Sequence, residues 1–285
     1  MTIQWYPGHI AKAERELKEQ LKRVDVVLEV RDARIPLSTH HPQVNQWVTG
    51  KTRVLVINRV DMITPAMQQL WASWFEQQGD IPYFTNAQQG KGVLKVAQAT
   101  QAAGGLMNKR RRDRGMRPRP VRAVVIGFPN VGKSALINRL LGRRVVASAR
   151  RAGVTRQLRW VRISEQIELL DAPGVIPVKL NNQQQAVKLA ICDDIGEASY
   201  DNQEVAVTLI ELLKDLEQTN FKDLLPASPL VRRYQLEPKS FTSEDYLNTL
   251  ADERYQGNVE RTAVQLLNDF RKGLMGKIAL ELPPN

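Results

Sequence analysis

The chain has 285 residues, 42% of them hydrophobic, enough for one large domain or two ordinary ones with a sizeable core. Its formal net charge of +11 calls for a polyanionic partner, with RNA, DNA and anionic membrane as candidates. No apolar run is long enough to span a bilayer, the first residues lack a signal-peptide layout, and the single cysteine, Cys192, excludes an intrachain disulfide and a cysteine-rich metal site, so a reducing cytoplasm fits and membrane is the weakest of the three polyanions.

Ile10, Ala13, Leu17 and Leu21 recur at helical spacing between charged residues and predict a surface amphipathic helix. The Val-rich run from Val24 to Val30 reads as a buried strand, followed by Val54 to Ile57 and Tyr83 to Thr85. Pro65 to Gln78 reads as a helix opened by Thr64 as N-cap and Pro65 at its first position, and Gly92 to Gln101 as another. Strand–helix alternation of this kind predicts a parallel α/β sheet. Lys109 to Arg122, almost all Arg, Pro and Gly, interrupts it as an exposed linker or loop. The alternation then resumes with a strand at Val124 to Ile126, a helix at Lys133 to Leu141 and a hairpin pair at Leu158 to Ile163 and Ile167 to Leu170. Beyond about Asn181 only helices are expected, over Gln183 to Cys192, Asn202 to Leu216, Ser243 to Leu250 and Val259 to Met275. The expected domains are therefore 1–178 (α/β, with the N-terminal helix and the basic linker 109–122) and 179–285 (all-helical), and no internal repeat is visible.

Gly127-Phe128-Pro129-Asn130-Val131-Gly132-Lys133-Ser134 matches the Walker A pattern between a strand and a helix. Glycines let backbone N–H groups turn inward around phosphates, and the helix N-terminus adds its partial positive charge. The nucleotide-facing stretch is Asn130, Val131, Gly132, Lys133, Ser134 and Ala135. Lys133 can reach the β and γ phosphates, and the Ser134 hydroxyl can ligate Mg²⁺.

Asn58-Arg59-Val60-Asp61 directly follows a strand. A carboxylate at Asp61 can accept from the ring N–H and exocyclic amine of guanine, a donor pair that adenine lacks. Asn86-Ala87 follows the next strand and can offer a backbone N–H to the guanine oxygen. Asp171-Ala172-Pro173-Gly174 ends a further strand: Asp171 can hold Mg²⁺ through water, and the Gly174 N–H can sense a γ phosphate. Thr155, in Gly153-Val154-Thr155, stands where a switch threonine completes the Mg²⁺ shell. Loops at strand ends are where open α/β sheets bind ligands.

In ordinary Ras-like GTPases the phosphate loop precedes the base-reading motif. Here Asn58–Asp61 and Asn86–Ala87 come first, then Gly127–Ser134, then Thr155 and Asp171–Gly174. This order resembles the circularly permuted GTPases. The opening Trp5-Tyr6-Pro7-Gly8-His9-Ile10-Ala11-Lys12-Ala13, with Asp32-Ala33-Arg34-Ile35-Pro36, resembles the YlqF/RbgA family of bacterial ribosome biogenesis GTPases. The resemblance implies a circularly permuted Ras-like P-loop GTPase domain followed by a small all-helical domain, and a low intrinsic GTPase rate stimulated by the ribosomal particle. It implies a precursor of the large ribosomal subunit and its rRNA as partners beside GTP and GDP, with no membrane partner and a monomeric chain. Mg²⁺ and K⁺ are the implied cofactors, with Asn130 beside the K⁺. His9 matches the family histidine proposed as catalytic, and contacting RNA is its other reading. The motifs depart from the family at Arg59, usually Lys, and at Asn86, usually Ser; Arg59 can still lay its stem along the base. Arg150, Arg151 and Arg156 make the Thr155 region unusually basic for a switch.

No glutamine follows Gly174; Val175 and Ile176 stand there and cannot orient a water. The switch leads through Val175 to Val178 almost directly into the helical region, so movement driven by a γ phosphate would be transmitted to it. RNA-facing candidates are Lys109 to Arg122, Arg232-Arg233-Tyr234, and Arg271, Lys272 and Lys277; Val264, Leu267, Phe270 and Leu274 read as a core face. His40 and His41 sit in a turn-like stretch. The competing readings are a GTP-binding RNA scaffold with negligible hydrolysis, and a permuted GTPase for the small subunit or tRNA, against which the absence of Cys/His zinc spacing and of an appended N-terminal barrel weighs.

Overall fold

The computed structural model describes residues 15–142, 159–171, 182–196, 199–219, 224 and 227–284, the side chains of Arg159 and Asp171 excepted. The described chain forms two compact units, one of residues 15–60 and 72–171, the other of 61–71 and 182–284. The expected boundary at Val178 falls outside the described residues.

The first unit is built on a six-stranded sheet: β1 (Val26–Asp32), β2 (Thr52–Asn58), β3 (Pro82–Thr85), β4 (Val121–Ile126), β5 (Arg159–Arg162) and β6 (Ile167–Asp171). The strand order is β3-β2-β1-β4-β6-β5; all neighbours run parallel except β5, which closes the edge as the antiparallel partner of β6. β1 is buried along its whole length, as a strand covered on both faces must be, which explains its Val-rich run. The register sets the ends of β1, β2 and β3 in line, with Asp32 opposite Asn58 and Asn58 opposite Thr85. The helix α1 (15–21) brings Leu17 and Leu21 into one core with Val24, Val27, Val124, Ile126 and Leu170, joined by Val44 and Trp47 of the short α2 (Val44–Trp47). Ile10 and Ala13 lie outside the described residues.

Helix α3 (Pro65–Gln77) begins as expected: Thr64 Oγ1 accepts from the Met67 N–H at 3.2 Å. Met67, Trp71 and Phe75 form its buried stripe. Helix α4 (Val93–Asp113) runs far past the expected end at Gln101. The run 109–122 is therefore not one loop: Lys109 to Asp113 is helix, and Val121 and Arg122 open β4. Gly104 allows this length, because a Cβ there would lie 1.8 Å from Val121 Cγ2, so helix and strand meet at van der Waals distance only over a glycine. Helix α5 (Lys133–Leu141) follows the phosphate loop with the expected bounds.

The second unit carries α6 (Gln183–Ile191), α7 (Asn202–Gln218), α8 (Pro229–Tyr234), α9 (Ser243–Tyr255) and α10 (Val259–Arg271). Side chains of Asn182, Asp201, Thr242 and Asn258 cap α6, α7, α9 and α10 by accepting from first-turn N–H groups. α10 packs on α7 and α9 through Ala263, Leu266, Leu267 and Phe270. The apolar face read from the sequence is thus half right in position. Leu267 and Phe270 are buried, while Val264 (37% exposed) and Leu274 (51%) look outward, because the buried stripe turns through Ala263 and Leu266. Cys192 is buried and in no disulfide, and none of the described helices is long and apolar enough to cross a membrane.

Beneath the sheet lies a buried charge cluster. Glu29 accepts from Arg31 Nε at 2.7 Å and Arg53 Nη1 at 3.4 Å, and lies 2.8 Å from His40 Nδ1; Arg53 also pairs with Asp80, and the Arg31 guanidinium covers the Phe75 ring. Burial pushes the Glu29 carboxyl upward, but Arg31 and His40 outweigh it and hold it at about 2, below the ordinary 4.5. A lowered folded-state value stabilises above pH 4.5 and loses that contribution as pH falls toward 2, on the order of 3 kcal/mol in all. Glu29→Gln should cost about 3 kcal/mol at neutral pH by stranding a buried guanidinium. Its stability gap from the native chain should close between pH 4.5 and 2 in urea unfolding followed across pH.

Candidate functional site

Parallel strands put the C-terminal ends of β1, β2, β3, β4 and β6 along one edge of the sheet, and the motif residues follow those ends. Asn58, the last residue of β2, is buried and bonds through both ends of its amide. Its Nδ2 donates to Val131 O of the phosphate loop at 2.8 Å. Its Oδ1 accepts from Thr85 Oγ1 and from the Ala87 N–H, each at 3.0 Å. One side chain thus ties the phosphate loop, β2 and the loop after β3 together. Gly132 makes room for it: a Cβ at that residue would lie 2.1 Å from Asn58 Nδ2, and the backbone there has φ 101°, a region that only glycine occupies without strain. Gly127 has the same character, with φ 149° and the Val30 carbonyl oxygen 2.3 Å from where a Cβ would stand.

Lys133 is buried, and its ammonium donates to the carbonyls of Gly127 at 3.1 Å and Phe128 at 2.7 Å. Both carbonyls belong to the phosphate loop itself, so the Lys133 Nζ is kept beside that loop, where phosphate oxygens can compete for it. Ser134 and Ala135 are half-buried in the first turn of α5. The Phe128 ring lies under the loop, 6.3 Å from the His41 ring, which in turn stacks on Trp47 at 4.3 Å. His41 is thus packed into the support of the loop. His40 belongs to the Glu29 cluster.

Arg59 has left-handed backbone (φ 63°), and so has Asn130 (φ 55°). The Arg59 guanidinium donates to Asn130 O at 2.5 Å and lies 3.3 Å from Asp32 Oδ2. It reaches sideways from the base motif to the phosphate loop. Asp32 is fully buried and accepts from the Arg34 N–H, Nε and Nη2 at 2.8, 3.0 and 2.8 Å. Burial pushes the Asp32 carboxyl up, while the charges of Arg34 and Arg59 outweigh it and keep it below the usual range. The Asp-Ala-Arg segment is therefore the socket for the Arg that replaces the usual Lys, a connection with no sequence-local signal.

Val60 is buried, and Asp61 is exposed in the 3-10 turn Val60–Met62, where the chain passes from the first unit to the second. Asn86 replaces the usual serine without loss of local structure, since its Oδ1 accepts from the Gln89 N–H at 3.0 Å and its backbone bridges to Lys91. The Ala87 N–H is given to Asn58 Oδ1, so offering it to a guanine oxygen requires that bond to be shared or exchanged. Asp171 ends β6 opposite Val125 of β4, close in the sheet to the loop that leaves β4. His9, Thr155, Gly174 and the side chain of Asp171 lie outside the described residues, as do Arg150, Arg151 and Arg156.

A serine hydroxyl and an aspartate form a hard oxygen donor set suited to Mg²⁺. Among the described residues no group of three or more His, Cys, Asp or Glu side chains forms a metal cage. Two of the C-terminal basic residues, Arg233 and Arg271, are occupied within the helical unit. Arg233 Nε donates to the buried Asp269 at 2.6 Å, beside the Tyr234 hydroxyl at 3.0 Å. Arg271 caps the end of α6 by donating to Ile191 O and Ala190 O. Burial and Asp269 push the Tyr234 phenol upward, so Tyr234 is a neutral core group.

Residues 122–226 match the family described as 50S ribosome-binding GTPase. Over 289 aligned residues the chain is 32% identical to "Ribosome biogenesis GTPase A" of Bacillus cereus, covering 99% of this chain and 95% of the relative. It is also 32% identical to the protein of that name from Bacillus pumilus, covering 99% of each. The fold is that of GNP-bound YlqF from T. maritima, with a TM-score of 0.67 at 22% identity over 96% of this chain and 99% of the other.

Asn58→Ala should lower guanine nucleotide affinity by about 2 kcal/mol, some 30-fold in Kd, because it strands an acceptor and two donors at once. Gly132→Ala should do at least as much with Asn58 intact, and the double variant should lose less than the two losses combined. Titration with a fluorescent guanine nucleotide checks this; independent, additive losses would contradict the shared hinge.

Proposed function

Because the chain belongs to the ribosome biogenesis GTPase A family, and is a P-loop GTPase that hydrolyses GTP to GDP and phosphate, we propose that it is an assembly factor for the large ribosomal subunit, binding a precursor particle and its rRNA in the GTP state. The observation that carries this is the near full-length match to relatives of that name, helical region included. The net charge of +11 supports an rRNA partner, and the cytoplasm is the compartment in which such a monomer would work.

On this reading Asn58, Arg59, Val60 and Asp61 hold guanine together with Asn86 and Ala87, and the phosphates rest on Asn130, Val131, Gly132, Lys133, Ser134 and Ala135. Gly174 reads the γ phosphate. GTPases generally use Mg²⁺, which neutralises charge on the β and γ phosphates; here Ser134, Thr155 and Asp171 would hold it. K⁺ beside Asn130 would supply the positive charge of a missing arginine finger. The residues of the chain then have separate tasks. Lys133 exchanges its two carbonyl acceptors for phosphate oxygens. Arg59 fixes the carbonyl of Asn130 and with it the bend of the loop. The hydrolytic water, with Val175 and Ile176 where a glutamine often stands, falls to His9 on a particle that completes the site. The domain reading assigns 1–178 to the nucleotide and 179–285 to RNA, with Arg232, Lys272 and Lys277 as the C-terminal contacts left after Arg233 and Arg271 are occupied.

Co-sedimentation with purified subunits across a salt series tests the reading. A non-hydrolysable GTP analogue should tighten binding to the large subunit at least tenfold over GDP, since only a nucleotide that favours one state can shift the balance. His9→Ala should keep that binding and lose stimulated turnover; nucleotide-indifferent binding, or preference for the small subunit, would defeat the proposal. Stimulated turnover should also fall by an order of magnitude or more when Na⁺ replaces K⁺, as loss of a transition-state charge predicts. Equal rates in the two salts would remove the ion from the site.

A further inference from the structure

Residues 109–119 hold six arginines and one lysine against a single acid, Asp113. Such a run by itself repels and stays extended in water. In this fold it is bent back on itself, half as helix and half as a return segment. Lys109 to Asp113 form the last turn of α4, where cations offset the negative end of the helix. Gly115, with φ 70°, reverses the chain, and the N–H groups of Gly115 and Met116 donate to Arg112 O at 2.8 Å and Arg111 O at 2.9 Å. One amide staples the two ends: Asn108 Nδ2 donates to Arg119 O at 2.9 Å, and the Arg119 N–H donates back to Asn108 Oδ1 at 3.1 Å. The Arg119 guanidinium grips both oxygens of Asp25 at 2.7 and 2.9 Å and so fixes the base of the loop beside the start of β1. Arg111 Nε is spent on Arg117 O at 3.1 Å. Lys109, Arg110, Arg112, Arg114 and Arg117 remain, all exposed and none paired with an acid among the described residues.

Two arginines are thus consumed in shaping a scaffold that presents four others and a lysine. Holding like charges together costs repulsion, and that cost is offset when a polyanion displaces the counter-ions. Guanidinium, not ammonium, dominates the set, and its planar fork pairs two-pronged with phosphate and stacks on bases. The exposed apolar neighbours, Leu106 and Met116, are isolated and do not make the continuous apolar face with which a helix enters a membrane. We propose that the stapled loop 108–119 is a preformed phosphate-gripping arm for RNA, held ready by Asn108 and by the Arg119–Asp25 pair. The arm stands on its own geometry, and only the identity of its RNA rests on the ribosomal reading above.

The test uses the full chain, a short mixed-sequence RNA duplex, purified large subunits, and vesicles of phosphatidylserine and phosphatidylcholine. The variant R110Q/R112Q/R114Q/R117Q should bind the duplex roughly 30-fold more weakly at low salt, and the slope of log Kd against log salt should fall by about 3. Asn108→Ala keeps every charge and should lose about fivefold with the slope unchanged, because only preorganisation is gone. GTP affinity measured without RNA shows that both variants are folded. Duplex binding by the quadruple variant at native strength overturns the arm, as does vesicle binding that vanishes in that variant while duplex binding persists. If native protein binds no subunits yet grips the duplex through these arginines, the ribosomal reading fails and the arm stands. Native subunit binding with a duplex affinity blind to the four arginines is the reverse.

Discussion

The site depends on a single side-chain amide. Asn58 holds its position because β2 is buried and in register with β1 and β3, and from there it bonds to a carbonyl 73 residues away and to two donors 27 and 29 residues away. A hydrogen bond in this setting is worth little net, but an unmade one costs a full desolvation. The penalty of breaking any one of the three falls on groups buried with Asn58, so the loops that follow β2, β3 and β4 are held together. Gly132 follows from the same constraint, because no Cβ fits against that amide.

The second support is electrostatic and follows from burying Asp32. A carboxylate with no solvent exposure must be paired, and Arg34 supplies a two-pronged partner from two residues away. That leaves a flank on which Arg59 can rest while its other nitrogen reaches Asn130 O. A lysine offers one ammonium as a point charge; the guanidinium spans both acceptors. The departure from the family motif at Arg59 thus comes with a receptor for it in the Asp32-Ala33-Arg34 segment.

Local chemistry was legible in the sequence, and distant pairing was not. Helix starts at Thr64, Asn182, Asp201, Thr242 and Asn258 carry cap residues whose partners lie two or three positions on, and the phosphate loop carries its strand and helix beside it. The full length of helix α4 is not legible in the sequence, because Gly104-Gly105 and the arginine run suggest a break, yet the glycine serves close packing on Val121 and the arginines suit a helix end. Arg233 and Arg271 look like surface cations in one dimension. Their acceptors, Asp269 and the end of α6, are brought to them only by the packing of α10. The α10 stripe shows the same limit: period alone allows Val264 or Leu266, and the neighbouring helices select Leu266.

Permutation gives the arginine loop its place. In the unpermuted order the strand that feeds the phosphate loop begins the fold and the helix after the last base motif ends it; here α4, the stapled loop and β4 join the two. The loop enters β4 at Val121, and the phosphate loop leaves it after Ile126, about 20 Å on at the usual rise of a strand. β4 is paired with β1 on one side and β6 on the other, and a buried strand fixed on both sides has no second arrangement to adopt. An arm at its start is therefore insulated from the nucleotide at its end. On the proposed reading the arm supplies a grip on RNA that is the same with GTP or GDP. On the same reading the preference for the GTP state would belong to the sequence after Asp171, where Gly174 is proposed to read the γ phosphate. Affinity and switching would then be separable properties of one chain, placed at opposite edges of the same sheet.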